Sequence, residues 1–363
     1  MKHLLIYCNS LQPSGGIERV VSTLSNIFCS KMQVSIIVKD EALSFYDLNE
    51  GVNMRSLNVL GQFNMKNRFI RFAQVILSNY RSIRKLSKID FQKFDFIYTV
   101  HPSNALELYI AQGRHFNRVI CTEHGGNNAY NFVYRKIKTW LYPKAEAYVV
   151  PTTKDLEYYK IKGITNTIHI PHFVPKMDFI QSKLNKRIAL NVGRFNEAKQ
   201  QGILVDVWSK IVNEGKVKNW KLKIVGSGEL QSFLENKIKK LQLEDHIELN
   251  KPVKDIEKYY SEASIFLLTS KSEGFGMVLI EALHFGVPCI SFNCPSGPKD
   301  IIQNGKNGYL VKQNDITEFY NKLLTYINSK ELQIQLSAGA KQSIKFWNDQ
   351  NILKKWNDII KFQ

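Results

Sequence analysis

The feature that most restricts this chain is the alternation of short, unbroken apolar runs with helix-length stretches from one end to the other. A run such as Leu4-Leu5-Ile6-Tyr7 has no polar side, so a strand made from it must be covered on both faces. Strands of that kind, separated by helices, build parallel sheets wrapped by helices, an α/β architecture. In the first half the spacing predicts strands at 4–7, 34–39, 96–100, 119–122 and 147–150. In the second half it predicts them at 188–192, 222–225, 246–248, 265–268 and 289–292. Helical patterns fill 17–30 and 66–88, where Phe69, Phe72, Ala73, Ile76, Tyr80, Ile83 and Leu86 recur at three and four. The stretch from about 330 to 363 is also helical and carries Trp347 and Trp356.

The pattern breaks once, where Pro171 and Pro175 bracket an aromatic residue ahead of the polar stretch 176–187. With 363 residues, two domains are expected: 1–172 and 173–340, followed by a terminal helix over 341–363. Two such units would leave a cleft lined by the carboxyl ends of both sheets. A hydrophobic share of 44% disfavours disorder. No run of about eighteen apolar residues occurs, which argues against an integral membrane protein. The apolar run at the N-terminus is strand-length, too short for a signal peptide. Cys8, Cys29, Cys121, Cys289 and Cys294 show no paired spacing, so a reduced, cytoplasmic setting is expected.

Several stretches have the residue types that hold anionic ligands. Gly15 and Gly16 follow the first strand and open a helix, where backbone N–H groups can meet a phosphate. Neither a dinucleotide fingerprint nor a Walker A loop is present, and a glycine pair also makes an ordinary tight turn. Gly226-Ser227-Gly228 reads first as such a turn. Arg194 and Lys199 follow the strand at 188–192 and could clamp a diphosphate, or could be solvated cations. The richest stretch is 270–288, S-K-S-E-G-F-G-M-V-L-I-E-A-L-H-F-G-V-P. It puts Glu273 on the loop after a strand, beside the amides of Gly274, Phe275, Gly276 and Met277 at a helix entry. Glu281 follows eight residues later, about 12 Å on at helical rise. That is too far for a carboxylate pair on one glycosidic bond. It suits two carboxylates gripping hydroxyls at opposite ends of a ligand such as a nucleotide sugar.

This stretch resembles the donor-site signature of glycosyltransferase family 4, retaining enzymes of the GT-B fold. Further matches are S-G-G-I-E-R-V at 14–20, T-E-H-G at 122–125, N-V-G-R-F at 191–195 with Lys199, I-V-G-S-G at 224–228, and G-P-K-D-I-I-Q-N-G-K-N-G-Y-L-V at 297–311. The resemblance implies two Rossmann-like domains facing a cleft, the first binding acceptor and the second the donor, with the last helix returning to the first. It implies that Glu273 holds sugar hydroxyls and that the amides of residues 274–277 hold sugar and phosphate oxygens. Glu281 would hold the ribose, and Arg194 and Lys199 the leaving diphosphate. Gly15 and Gly16 would approach the phosphates, and His124 would sit at the reacting sugar. Two positions depart from the family pattern, Gln200 after the lysine and Lys251, where glycines are usual. No Asp-x-Asp motif lies at a strand end, and the resemblance implies metal independence. A nucleotide-diphosphate sugar is then a co-substrate and no cofactor is expected.

The net charge of +18 is spread along the chain, with 22 basic and 12 acidic residues in 1–172 and 28 and 20 in 173–363. No nucleic-acid module appears, so basic charge alone does not point to nucleic acid. The cations do cluster at 61–93, where Lys66, Arg68, Arg71, Arg81, Arg84, Lys85, Lys88 and Lys93 face one acid, Asp90, amid Phe63, Met65, Phe69, Ile70, Phe72 and Ile76. A second cluster runs over 134–141. Such helices can lie on an anionic leaflet, or pack an apolar stripe on the sheet with their cations in water. The expected activity is hexose or N-acetylhexosamine transfer from a nucleotide-diphosphate sugar, a UDP-sugar first, to a lipid-linked saccharide of bacterial surface polysaccharide such as O-antigen, capsule or lipopolysaccharide. The alternatives are a transferase with a soluble acceptor and a non-catalytic nucleotide-sugar-binding partner protein.

Overall fold

The computed structural model describes residues 1–59, 67–126, 129–177, 180–216 and 219–362. The chain divides into two compact units, one of 1–173 with 352–363 and one of 174–351.

Unit 1 has a seven-stranded sheet of β1 (His3–Cys8), β2 (Gln33–Val38), β3 (Val52–Ser56), β4 (Phe96–Thr99), β5 (Val119–Thr122), β6 (Ala147–Val150) and β7 (Thr167–His169). Its order is β3-β2-β1-β4-β5-β6-β7, and every pairing is parallel. The helices α1 (Gly16–Phe28), α2 (Arg68–Leu86), α3 (Pro102–Gln112), α4 (Phe132–Leu141) and α5 (Thr153–Ile161) connect the strands.

Unit 2 has a six-stranded sheet of β8 (Ile188–Val192), β9 (Lys221–Val225), β10 (Ile247–Asn250), β11 (Ile265–Leu268), β12 (Cys289–Phe292) and β13 (Gly308–Val311). Its order is β10-β9-β8-β11-β12-β13, again all parallel. Its helices are α6 (Gln201–Asn213), α7 (Gln231–Lys240), α8 (Glu257–Glu262), α9 (Met277–His284), α10 (Pro298–Ile301), α11 (Ile316–Asn328) and α12 (Lys330–Ser343). The last helix, α13 (Asp349–Ile360), leads the chain back into unit 1.

The unbroken apolar runs do what a doubly covered strand requires. In β1, Leu4, Ile6 and Cys8 enter a core shared with α1 and α13. Leu5 and Tyr7 point the other way, into a core shared with α2, α3, α4 and α5. Side chains alternate across a strand, so one run feeds two cores. The strands absent from the sequence reading, β3, β7 and β13, are all sheet edges. An edge strand has one neighbour and partial cover, so β3 mixes Asn53 and Arg55 with its apolar residues and shows no run to detect.

Of the two arrangements open to helix α2, an apolar stripe packed on the sheet is not the one found: Phe69, Phe72, Ile76 and Tyr80 are exposed, and the helix seats itself through Ser78, Ser82 and Leu86. Phe63, Met65 and Lys66, part of the expected basic stretch, lie outside the described residues. Among the described residues no helix is long and apolar enough to cross a membrane. All five cysteines are free thiols.

The returning helix is fastened by aromatic packing. Trp356 meets Phe28 edge-on at 5.6 Å and Tyr98 at 6.1 Å, with Ile359 and Ile360 buried beside it. The expected terminal segment began at 341, but 341–347 stays in unit 2 and the crossing follows Asn351. Trp356→Ala should destabilise unit 1 by about 3–5 kcal/mol, the usual loss for a buried tryptophan. Denaturant unfolding followed by near-UV circular dichroism checks this, with unit 2 unchanged.

Candidate functional site

The strand order of unit 2 reverses between β8 and β11. Loops leaving neighbouring strands at such a reversal part in opposite directions and open a crevice, the usual ligand position in an α/β sheet. The loop after β8 carries Arg194 and Lys199, and the loop after β11 carries Glu273. Backbone bonds join the two loops, with the Lys271 amide donating to the Ala198 carbonyl at 2.8 Å. The Thr269 hydroxyl lies 3.2 and 3.1 Å from the carbonyls of Lys199 and Gln200. Lys199 Nζ meets both carboxylate oxygens of Glu273 at 2.7 Å, and the Ser270 hydroxyl donates to Glu273 Oε1 at 2.6 Å. Two residues 74 apart in sequence therefore form one charged unit. Arg194 is exposed, and among the described residues no ion pair engages it. Its carbonyl accepts from Gln201 Nε2 at 3.0 Å.

Residues 274–277 turn tightly into α9. Gly276 holds a left-handed conformation, φ +96°, that a residue with a side chain rarely adopts. No side chain caps the helix, so its first N–H groups are open to a ligand oxygen. The turn is braced from two sides. Phe275 is buried, with its ring 5.5 Å from that of Trp347. Its carbonyl lies against Gly297, where any side chain would overlap it.

The helix begins only at Met277, so helical rise applies to only part of the path from Glu273 to Glu281. Four helical residues lead from Met277 to Glu281, about 6 Å of axial rise. Glu281 is buried and accepts from the Tyr260 hydroxyl at 2.7 Å. Tyr260 itself stacks on Phe285. Neither Tyr260 nor Trp347 was legible as a site residue, because α8 is too short to show periodicity and Trp347 lies on a single 3-10 turn.

One departure from the family pattern, Gln200, and the second glycine turn also have local explanations. Gln200 is left-handed, φ 50°, so the backbone keeps a conformation suited to glycine although a side chain is present. At Gly226 and Gly228 a Cβ would overlap the carbonyls of Gly193 and Phe195. These two glycines therefore seat the loop that bears Arg194, a structural duty.

In unit 1 the order reverses between β1 and β4. Gly15 and Gly16 open α1, with Gly15 at the N-cap. The Glu18 carboxylate lies so close to Gly15 that a side chain there would strike it, whereas Gly16 faces open space. That helix start therefore has an acidic group beside it already.

His124 follows β5. Thr122 Oγ1 donates to the Thr99 carbonyl at 2.9 Å and lies 2.8 Å from His124 Nε2. A hydroxyl has one proton to give, so Nε2 carries the imidazole proton and Nδ1 keeps a lone pair. The ring stacks on His172 at 5.3 Å. Burial, with Lys138 pushing the same way and Glu123 opposing, lowers His124 to about 4. His101, half-buried beside Tyr130 and Tyr134, is likewise lowered to about 4, chiefly by loss of solvent. His172 is lowered further by burial and by His124. Among the described residues no group of three or more His, Cys, Asp or Glu converges as a metal site would require.

These histidines are neutral in the folded chain but bind a proton in the unfolded one below about pH 6.5. Unfolding then takes up protons, so stability should fall as pH drops from about 6.5 towards 4. Thermal melts across that range check this, and His101→Gln with His124→Gln should flatten the slope.

Residues 175–343 match the family described as glycosyl transferases group 1. The amylovoran biosynthesis glycosyltransferase AmsD of Erwinia amylovora is 30% identical over 99% of this chain and 100% of its own length. The Campylobacter jejuni enzyme named GalNAc-alpha-(1->4)-GalNAc-alpha-(1->3)-diNAcBac-PP-undecaprenol alpha-1,4-N-acetyl-D-galactosaminyltransferase is 28% identical over 96% of this chain and 95% of its own. Among solved structures, S. aureus TarM in complex with fondaparinux, alpha-GlcNAc-glycerol and UDP superposes with a TM-score of 0.79 at 14% identity, covering 99% of this chain and 100% of that one. That likeness, with the two parallel Rossmann-like sheets, makes the fold GT-B. By sequence over its whole length, the chain belongs to the group 1 glycosyl transferases.

Proposed function

We propose that the chain is a retaining, metal-independent glycosyltransferase of family 4. In this reading it moves a hexose or N-acetylhexosamine from a nucleotide-diphosphate sugar, a UDP-sugar first, to a lipid-diphosphate-linked saccharide of bacterial surface polysaccharide. The observation that carries the reading is the Lys199–Glu273–Ser270 unit beside the uncapped start of α9. An ammonium has three N–H donors. Two of those on Lys199 are turned to Glu273, which leaves one for a phosphate oxygen.

In the transfer, the bond between the anomeric carbon and the diphosphate oxygen breaks. The acceptor hydroxyl oxygen bonds to that carbon, and its proton leaves with the nucleotide diphosphate. Negative charge grows on the departing oxygen, where Lys199, Arg194 and the amides of residues 274–277 stabilise it. Glu273 takes sugar hydroxyls, Glu281 takes the ribose, and the neutral His124 offers Nδ1 to the reacting sugar. Gly16 brings backbone close to the acceptor. The UDP named in the TarM complex and the undecaprenol diphosphate named in the Campylobacter relative support this choice of donor and acceptor.

The acceptor's lipid implies a membrane surface. Helices α2 and α4 flank α3 and contain no Asp or Glu. Phe69, Phe72 and Ile76 on α2 and Phe132, Val133 and Trp140 on α4 are exposed. Lys136 lies 4.7 Å from the Phe132 ring, and Lys144 lies 4.4 Å from the Trp140 ring. Outward aromatics among cations suit an anionic leaflet, so peripheral attachment at the inner face of the cytoplasmic membrane belongs to this reading.

Glu273→Ala and Arg194→Ala should each abolish transfer, measured as nucleotide release across UDP-, GDP- and ADP-sugars, with melting temperature preserved. Full activity in either removes the assignment. The protein should also float with anionic liposomes at physiological salt but not with zwitterionic ones. Phe69→Ser with Phe72→Ser should reduce that flotation, and its absence in the unaltered protein refutes the membrane face.

A further inference from the structure

Directly behind His124 is a charged cluster that the transfer chemistry above does not use. Glu123 is fully buried at the carboxyl end of β5. Its Oε1 accepts from the backbone amides of both His124 and Gly125, each at 3.0 Å. Its Oε2 accepts from the hydroxyls of Tyr148 on β6 at 2.6 Å and Tyr159 on α5 at 2.7 Å, and from the Lys138 ammonium on α4. Lys138 is buried too, with Tyr159 Oη at 2.6 Å and the rings of Tyr130 and Tyr159 within 4.6 Å. One carboxylate thus gathers five donors from the turn, β6, α4 and α5.

Two observations make this more than cohesion. A buried ion pair is weak evidence for stability, because apolar residues of similar volume commonly serve as well or better. And one oxygen of this carboxylate is given wholly to the two amides of the turn that presents His124. That turn is confined sterically as well. At Gly125 a Cβ would press on Ala129 and the Tyr130 ring, and Gly126 is left-handed at φ 71°.

We propose that Glu123 is a positioning residue for glycosyl transfer. Anchored by Lys138, Tyr148 and Tyr159, it holds the amides of His124 and Gly125 so that the imidazole keeps one register between Thr122 and His172. The carboxylate acts through His124 and does not touch the sugar. This rests on the reading that His124 acts at the reacting sugar.

The test separates the acceptor oxygen from the charge. Glu123→Ala with Lys138→Met removes both without stranding a buried ion. Its kcat for nucleotide release, with the best donor of a UDP-, GDP- and ADP-sugar panel, should fall about 100-fold, the scale of a misplaced reacting group. Its affinity for UDP, bound by unit 2, should not change. Glu123→Gln with Lys138→Met keeps an oxygen for the two amides and should recover most of the kcat. Should the alanine variant fail to fold, Tyr148→Phe with Tyr159→Phe loosens the same carboxylate more gently and should still lower kcat at constant UDP affinity. A merely structural role predicts lower melting temperatures with unchanged kcat, and that result overturns the proposal. So does equal impairment of the alanine and glutamine variants. Full turnover in His124→Ala refutes the reading of His124 itself. Loss in His124→Ala with full turnover in the Glu123 variants refutes the positioning role alone.

Discussion

The reversal of strand order at the centre of each sheet is the constraint on which the rest depends. Between β8 and β11 the chain changes the direction in which it adds strands. The loops that follow these two neighbouring strands therefore lie side by side at one edge of the sheet. Arg194, Lys199 and Glu273 all come from those loops. Without the reversal, Lys199 and Glu273 would sit at the tops of unrelated strands. With it, they share one ion pair and are joined by the backbone bond from Lys271 to Ala198.

The supports behind the two candidate sites differ in kind. In unit 2 the loops of the candidate site are held by backbone packed against backbone, glycine on carbonyl, at Gly226 on Gly193, Gly228 on Phe195 and Gly297 on Phe275. Such contacts admit no side chain and so leave little positional freedom. In unit 1 the turn bearing His124 is held by a buried carboxylate with five donors. Hydrogen bonds to a charged group in a low-dielectric interior are strong only when all members are present. The first design is rigid because of shape, and the second because of charge.

Much of the fold was legible, because a strand covered on both faces must be apolar throughout. The runs at β1, β5, β11 and β12 could be little else. The edge strands β3 and β7 escaped for the complementary reason, since polar residues interrupt them. The orientation of helix α2 was left open by the sequence. Periodicity reports that a helix has an apolar side but says nothing about which surroundings that side meets, and here Phe69 and Phe72 are exposed while Ser78 and Ser82 are buried. At the two candidate sites, Glu273, Lys199 and Glu281 in unit 2 and His124 in unit 1 stood out through motif and neighbourhood. Tyr260, Trp347 and Lys138 did not, since each reaches its partner from a separate element.

The sequence by itself determined the fold class and the residue types carried by each loop of the candidate sites. Those follow from local rules of burial, turn formation and charge. The tertiary structure decided the partnerships. It joined Lys199 to Glu273, set Tyr260 on Glu281, surrounded Glu123 with donors from three elements, and returned Trp356 to the core of unit 1. Such pairings join residues far apart along the chain. No local pattern encodes them, because they exist only once the sheet order has brought their loops together.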